Sequence, residues 1–296
     1  MNIKKVEKKV SRVGIIGKGF VGSAVAHGFS HACGYSAQIK IYDKDPTKSM
    51  NTLDDTVNNS DIIFLSVPTP ADKNGKMDLS IVNSALTDID AINKNKTNIV
   101  LVRSTVTPGT TKYLQDKFPS LRIVFNPEFL TERSAIFDFI NQTRIILGGD
   151  KENTKIVANL YRDRFGRHLP IIQTDYQTAE SIKYMNNLFF ATKVAFLNEM
   201  YIMVKEVDGD WSEAMNGFIL DGRIGHSHLS VPGPDGKFGF GGSCFPKDIQ
   251  ALIAFGDELG VEMNVLKGAW KTNLKVRPEK DWEQLKGRAV SEETDN

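Results

Sequence analysis

The sequence predicts an α/β chain: an N-terminal doubly wound parallel sheet followed by an all-helical middle domain with a long central helix. Three observations predict it. Short β-rich runs alternate with helical stretches up to about residue 173, the pattern of βαβ units. A turn with three glycines follows the first of these runs. Beyond residue 174 the alternation stops, and Thr178–Val207 runs without Pro or Gly, with apolar residues at helical spacing.

The strand candidates, in order, are Val13–Ile16, Ile39–Tyr42, Ile62–Val67, Ile99–Arg103, Ile123–Phe125 and Ile145–Gly148. Ser23–Phe29 is the helix after the glycine turn. Within Thr178–Val207 the apolar face is set by Ile182, Met185, Leu188, Phe189, Phe196, Met200 and Met203. Trp211–Asp221 is a further helix, and Gly222–Gly242 is a loop rich in Gly and Pro. Helices resume from about Lys247 to Leu259 and again near Val265. The expected organisation is a dinucleotide-binding domain over 1–173, a helical middle and dimerisation domain over 174–275, and a tail over 276–296. The stretch Arg277–Asn296 holds ten charged residues in twenty and is expected to be solvated.

Composition narrows the function classes. The 296 residues are 41% hydrophobic and 25% charged, with a formal net charge of +1. That balance gives no global field toward nucleic acid or a membrane surface. No apolar run has the length of a signal peptide core or a membrane span, so the expected setting is cytoplasmic. Cys33 and Cys244 lie far apart and argue against a disulfide framework. The five histidines show no metal-ligand spacing, and no metal is assigned.

Ser11–Gly22 reads SRVGIIGKGFVG, in which Gly17, Gly19 and Gly22 match G-x-G-x-x-G between a strand and a helix. The first glycine serves a tight turn, the second a close approach of backbone to pyrophosphate, the third close helix–strand packing. The helix that opens on Phe20 and Val21 offers free N–H groups to phosphate. The next strand ends in Asp43, where an acid takes the ribose hydroxyls and disfavours a 2′-phosphate. This is a Rossmann-type signature for NAD, with Lys44 and Lys48 as nearby cations that pull against the preference.

Three loops follow strands and should meet at the carboxyl end of the sheet. They are Val67-Pro68-Thr69-Pro70, Ser104-Thr105-Val106-Thr107-Pro108-Gly109-Thr110-Thr111, and Asn126-Pro127-Glu128-Phe129-Leu130. A fourth segment is Gly239-Phe240-Gly241-Gly242-Ser243-Cys244-Phe245-Pro246-Lys247-Asp248. Its cysteine precedes a proline suited to a first helical turn. A helix N-terminus and the adjacent Lys247 would both favour thiolate there. Lys183 and Asn187, four apart, share one face of the long helix.

Together with Ala179–Asn187 and Arg223-Ile224-Gly225, these segments resemble the UDP-glucose/GDP-mannose dehydrogenase family, from about Arg12 to Asn273. The resemblance implies a four-electron, NAD-linked oxidation of a nucleotide sugar at C6. Cys244 would be the nucleophile that passes through a thiohemiacetal and a thioester. Lys183 and Asn187 would steady the reacting C6 oxygen. Glu128 would act as general base through a water, with Thr105 holding that water and Asp248 ordering the same water or Lys183. Pro68, Thr69, Ser104, Thr105 and Glu132 would face the cofactor. Phe129, Leu130, Phe240 and Gly241 would line the substrate, and Arg223 would reach the sugar of a neighbouring subunit in a homodimer.

Three departures from the family pattern stand out. A further nucleotide-binding domain usually follows the central one, and the resemblance stops at Asn273. Arg133 stands where the family often has Gly, and is expected to offer a cation to phosphate near the cofactor. The segment His226–Lys237 is longer than the usual link and is expected to cover part of the substrate site. Two other readings remain open: a single-step β-hydroxyacid-type dehydrogenase, which needs no cysteine, and a cofactor-binding pseudoenzyme that depends on a partner.

Overall fold

A computed structural model of the chain describes residues 11–72 and 74–291. Seven strands are formed by Arg12–Ile16 (β1), Gln38–Tyr42 (β2), Ile62–Leu65 (β3), Ile99–Val102 (β4), Ile123–Phe125 (β5), Ile145–Gly148 (β6) and Ile171–Thr174 (β7). They join in one sheet of order β2-β1-β3-β4-β5-β6-β7. Every pairing is parallel except β5 with β6, which touch antiparallel at Phe125 and Gly148. The order reverses between β1 and β3, and the loops leaving those two strands flank that reversal, where ligands of doubly wound sheets bind.

The helices of this part are Phe20–Gly28 (α1), Leu53–Asn58 (α2), Ser80–Ile92 (α3), Thr110–Lys117 (α4), Ala135–Ile140 (α5) and Lys151–Phe165 (α6). Strands β3, β4, β5 and β6 are buried along their whole length. That is why IIFL, IVLV and IVF read as unbroken apolar runs, being covered on both faces. Phe29, Phe64, Phe139 and Tyr161 form an aromatic centre within this core. Burying a ring of this size stabilises the fold by about 1.5–3 kcal/mol.

Then come Tyr176–Glu206 (α7), Trp211–Ile219 (α8), Phe245–Glu258 (α9) and Asn264–Val276 (α10). The described chain divides into two compact units, residues 11–68 with 79–183 and residues 69–78 with 184–291, and the division falls inside α7. α7 starts where Asp175 accepts hydrogen bonds from the Thr178 N–H at 2.7 Å and the Thr178 hydroxyl at 2.8 Å. It stops at Asp208, whose φ of 55° puts it in the left-handed region, with Gly209 N–H donating to the Val204 carbonyl at 2.8 Å. Among the described residues no helix is long and apolar enough to cross a membrane.

Two differences from the sequence expectation have physical causes. β7 was not expected. It is an edge strand with a half-exposed pattern, so IIQT lacks the apolar run that betrayed its neighbours. The expectation of a solvated tail from Arg277 onward is corrected in part: several side chains within residues 277–291 are buried, while those at 278, 279, 283, 284, 286 and 288 are exposed. Arg277, Trp282 and Ala289 are each 2% exposed. The Trp282 ring packs on Trp270 at 5.2 Å, and Val290 forms a β-bridge with Ala71. Charge counting misleads here because the charges pair with one another. Residues 292–296 lie outside the described residues.

Candidate active site

At the end of β1, Gly17 turns with a φ of 92°. A Cβ on it would strike the Ser66 carbonyl, and one on Gly22 would strike the Gly17 carbonyl. Gly19 differs, because nothing lies within 4 Å of where its Cβ would stand. Two glycines are therefore required by protein packing and one leaves a free approach, as a dinucleotide cradle needs. α1 begins at Phe20 with no side-chain cap and no acid in its first turn, so its N–H groups and positive end remain available to an anion. Asp43 accepts from the Lys18 N–H at 2.6 Å and the Asp45 N–H at 2.8 Å. It thereby ties the end of β2 to the glycine turn, and its carboxylate retains further acceptor capacity for ribose hydroxyls. These residues fit NAD.

The neighbouring loops are braced against one another. The Ser104 hydroxyl donates to the Val67 carbonyl at 2.6 Å. Pro68 is exposed, Thr69 buried and Thr105 half-buried. Glu132 and Arg133 are exposed on a short 3-10 turn, Glu132–Ser134. Below Thr105, the loop Thr107–Thr111 is held by a residue of α7: Glu180, fully buried, accepts from the Gly109 N–H at 2.6 Å and the Thr111 N–H at 2.7 Å. Burial pushes the Glu180 carboxyl up, and the hydrogen bonds from Thr111 and Gly109 pull against that rise.

The Glu128 loop leaves β5 through Asn126, whose side-chain oxygen accepts from Arg103 at 2.5 Å and from the Tyr161 hydroxyl at 2.5 Å. Burial pushes the Tyr161 phenol up to about 12, so it stays a neutral donor. Glu128 and Lys183 form a buried ion pair at 3.0 Å, and the same ammonium donates to the Glu128 carbonyl at 2.5 Å. The other carboxylate oxygen accepts the Leu130 N–H at 2.7 Å. Phe129 is half-buried, with Lys183 5.4 Å and Arg144 4.3 Å from its ring centre.

The second unit contains the cysteine loop. Cys244 is the cap residue of α9, half-buried, with its sulfur 3.8 Å from the Ser243 hydroxyl; Pro246 occupies the first turn. Asp248, 1% exposed, accepts from Lys247 at 2.6 Å and from the Asn187 side-chain amide at 2.7 Å. The expectation that Lys247 favours a thiolate is thereby weakened, because its ammonium is committed to a carboxylate. The start of α9 remains the element suited to negative charge.

Phe240 is buried, and both its backbone groups pair with Asn273, N–H to Oδ1 at 2.7 Å and carbonyl to Nδ2 at 2.9 Å. Gly239 N–H donates to Asn198 at 3.0 Å. Gly241 lies against the Arg277 guanidinium, where any Cβ would collide. Arg277 is held by Asp281 at 2.6 Å and Asp235 at 2.7 Å. Partial burial pushes both carboxyls up, but the Arg277 guanidinium and nearby backbone N–H groups together hold them below the usual range. The long segment His226–Lys237 is tied in by this contact and by Lys237 to Glu279 at 3.4 Å. Arg223 is exposed and chelated by Asp221. Lys193 donates to the carbonyls of Ile224, Gly225 and Ser227 at 3.2, 3.1 and 2.8 Å, fixing the loop that carries Arg223. Among the described residues no group of three His, Cys, Asp or Glu is placed to hold a metal.

Glu180, Lys193, Asn198, Asn273 and Arg277 carry much of this order and were not singled out as site residues from the sequence. The signal for the asparagines was a polar residue at a core-facing helical position.

Known proteins show the same two parts. Residues 40–164 match the NAD binding domain of the UDP-glucose/GDP-mannose dehydrogenase family, and residues 177–275 match its central domain. The chain is 37% identical over 238 residues to a UDP-glucose 6-dehydrogenase of Rickettsia felis, covering 78% of this chain and 51% of that protein. It therefore spans about half the length of the curated relatives it matches. A UDP-glucose dehydrogenase from Pyrobaculum islandicum superposes with a TM-score of 0.79 at 26% identity, over 96% of this chain and 72% of the other. A GDP-mannose dehydrogenase from Pseudomonas aeruginosa gives 0.63 at 30% identity, over 93% and 70%. With its glycine cradle, its buried Glu128–Lys183 pair and family matches over residues 40–164 and 177–275, the chain belongs to the UDP-glucose/GDP-mannose dehydrogenase family.

Proposed function

We propose that this chain carries out the NAD-dependent oxidation of a nucleotide sugar at C6 to the uronic acid, with UDP-glucose as the first candidate substrate. The observation that carries the reading is Cys244 at the head of α9, four residues before Asp248, which accepts from both Asn187 and Lys247. α7 bears Lys183 and Asn187 one turn apart, so both can serve one oxygen of a substrate. The names of the relatives supply the substrate class.

Bound NAD supplies the hydride acceptor, twice per sugar. In the first oxidation the C6 hydroxyl loses its proton as hydride leaves the carbon, and Lys183 and Asn187 steady the oxygen. The Cys244 thiolate adds to the aldehyde carbon to give a thiohemiacetal, whose alkoxide collapses as the second hydride leaves, giving a thioester. Glu128 takes a proton from the attacking water, and the carbon–sulfur bond breaks to release carboxylate and thiol. In total one alcohol, one water and two NAD give one carboxylate, two NADH and three protons.

The same reading includes a homodimer. Met185, Phe189, Phe196 and Met203 stand on one face of α7 with exposures of 71%, 65%, 48% and 48%. Such an apolar stripe on a long helix suits a second copy of itself. A cytoplasmic setting goes with it, since a cysteine nucleophile must stay reduced to act.

The test is to incubate the protein with NAD and a panel of nucleotide sugars and count NADH per sugar consumed. Two NADH with a uronic acid product is the expected result. One NADH would turn the reading toward a single-step alcohol or hydroxyacid dehydrogenase. No NADH with NAD still bound would turn it toward a binding protein that needs a partner.

A further inference from the structure

We propose that Arg277 is a positioning residue for the nucleophile: its guanidinium, clamped between Asp235 and Asp281, fixes the glycine turn that sets where Cys244 stands. The inference deepens the covalent reading above and rests on it for the consequence in turnover.

Arg277 is 2% exposed, an uncommon state for an arginine at a helix end. It uses three of its nitrogens. Nε donates to Asp281 at 2.6 Å, Nη2 to Asp235 at 2.7 Å and Nη1 to the Phe238 carbonyl at 3.3 Å. The plane of the guanidinium fills the place where a side chain on Gly241 would be, meeting Cζ, Nε and Nη2 at once. The glycine at 241 is therefore needed to admit an arginine, a protein contact. Asp281 also accepts the Gly242 N–H at 3.4 Å. Asn273, one turn earlier on α10 and so on the same face, holds both backbone groups of Phe240.

The turn from Phe238 to Gly242 is thus gripped by Asn273, Arg277 and Asp281, with Asn198 taking the Gly239 N–H, and Ser243 and Cys244 follow directly. Gly239 and Gly242 have φ values of 67° and 72°, a region that glycine enters freely, so this turn has many conformations open to it and little means of holding one by itself. A planar fork that bridges two carboxylates while lying flat on a backbone is a task an ammonium cannot perform. The grip also joins Asp235, from the long segment His226–Lys237, to residues beyond α10.

The experiment compares Arg277→Lys and Asp281→Asn with the parent. It reads the rate of Cys244 alkylation by iodoacetamide across pH by mass spectrometry, with Cys33 as internal reference, together with kcat and KM. Small displacements of a reacting group cost one to two orders of magnitude, so Arg277→Lys is expected to lower kcat by about tenfold or more with NAD affinity unchanged. The Cys244 alkylation profile should move while that of Cys33 does not. Asp281→Asn, which is isosteric and keeps Asp235, should shift both in the same direction by less, and decides alone if Arg277→Lys fails to fold. Both readouts within about twofold of the parent in the folded variants would overturn the proposal. The alkylation profile needs no turnover, so it judges the clamp even if Cys244→Ser shows the covalent step to be wrong.

Discussion

The Lys183 ammonium holds two oxygens of a single residue, the Glu128 carbonyl at 2.5 Å and its carboxylate at 3.0 Å, with the side chains only 4% and 7% exposed. Fixing backbone and side chain together locks the Glu128 rotamer. Lys183→Met should leave a buried carboxylate without its cation, at a cost of about 3–5 kcal/mol. Urea unfolding of Lys183→Met, Glu128→Gln and the double variant would measure it. The double variant should be more stable than Lys183→Met alone, and additive losses would show that the pair is not coupled.

Cys244→Ser should fold as the parent does, since the sulfur is half-buried and takes no part in capping α9. A hydroxyl is a far poorer nucleophile at neutral pH. The expected outcome is no uronic acid by mass spectrometry. Undiminished acid formation would remove the covalent step from the mechanism.

Glu180→Leu removes the acceptor for one buried and one half-buried N–H group at the start of α4. Leaving them unpaired should cost about 1–3 kcal/mol in thermal unfolding. The same change frees the loop that follows Thr105, so calorimetric titration should show weaker NAD binding. A variant as stable as the parent would mean that the loop holds itself.

Because Asp235 and Asp281 are held below the ordinary carboxylate range by Arg277 and nearby backbone N–H groups, their contribution to stability is complete above the unfolded value. It is lost as pH falls through the folded one, since the unfolded chain takes up the protons first. An acid titration followed by tryptophan fluorescence should report it, because Trp282 packs beside this cluster in sequence and against Trp270 in space. The double variant Asp235→Asn, Asp281→Asn should lose part of the acid-dependent slope. An unchanged slope would assign it to other carboxylates.

Phe189→Lys places a charge on the exposed apolar face of α7 without touching a buried residue. Light scattering should then give the mass of one chain where the parent gives two. A parent that is already monomeric would remove the dimer from the reading.

The sequence made the sheet and the long helix legible for a plain reason: β3, β4 and β5 are covered on both faces, and α7 has neither Pro nor Gly to interrupt it. The reversal at β5–β6 was not legible, since a short strand reads alike in either direction. Glycine roles were legible at 17, 19 and 22, whereas the reason for Gly241 lay 36 positions further on, at Arg277. A partner at that distance leaves no periodic trace. Lys183 and Glu128 were each identifiable as functional residues, yet their pairing depends on how α7 approaches the end of β5, which no local pattern encodes.

The segment beyond α10 has the look of something disposable: polar, highly charged, and past the last regular helix. Its Trp282, Ala289 and Val290 are nevertheless seated, and its Ser291 N–H donates to the Ala71 carbonyl at 2.8 Å. Trimming the protein back to Val276, the natural choice for anyone dividing it by helices, would strip away the grip on the cysteine turn and uncover Trp270 in the same cut. A chain shortened in that way would keep its glycine cradle and lose the setting of its cysteine, a fault easily mistaken for loss of the thiol itself.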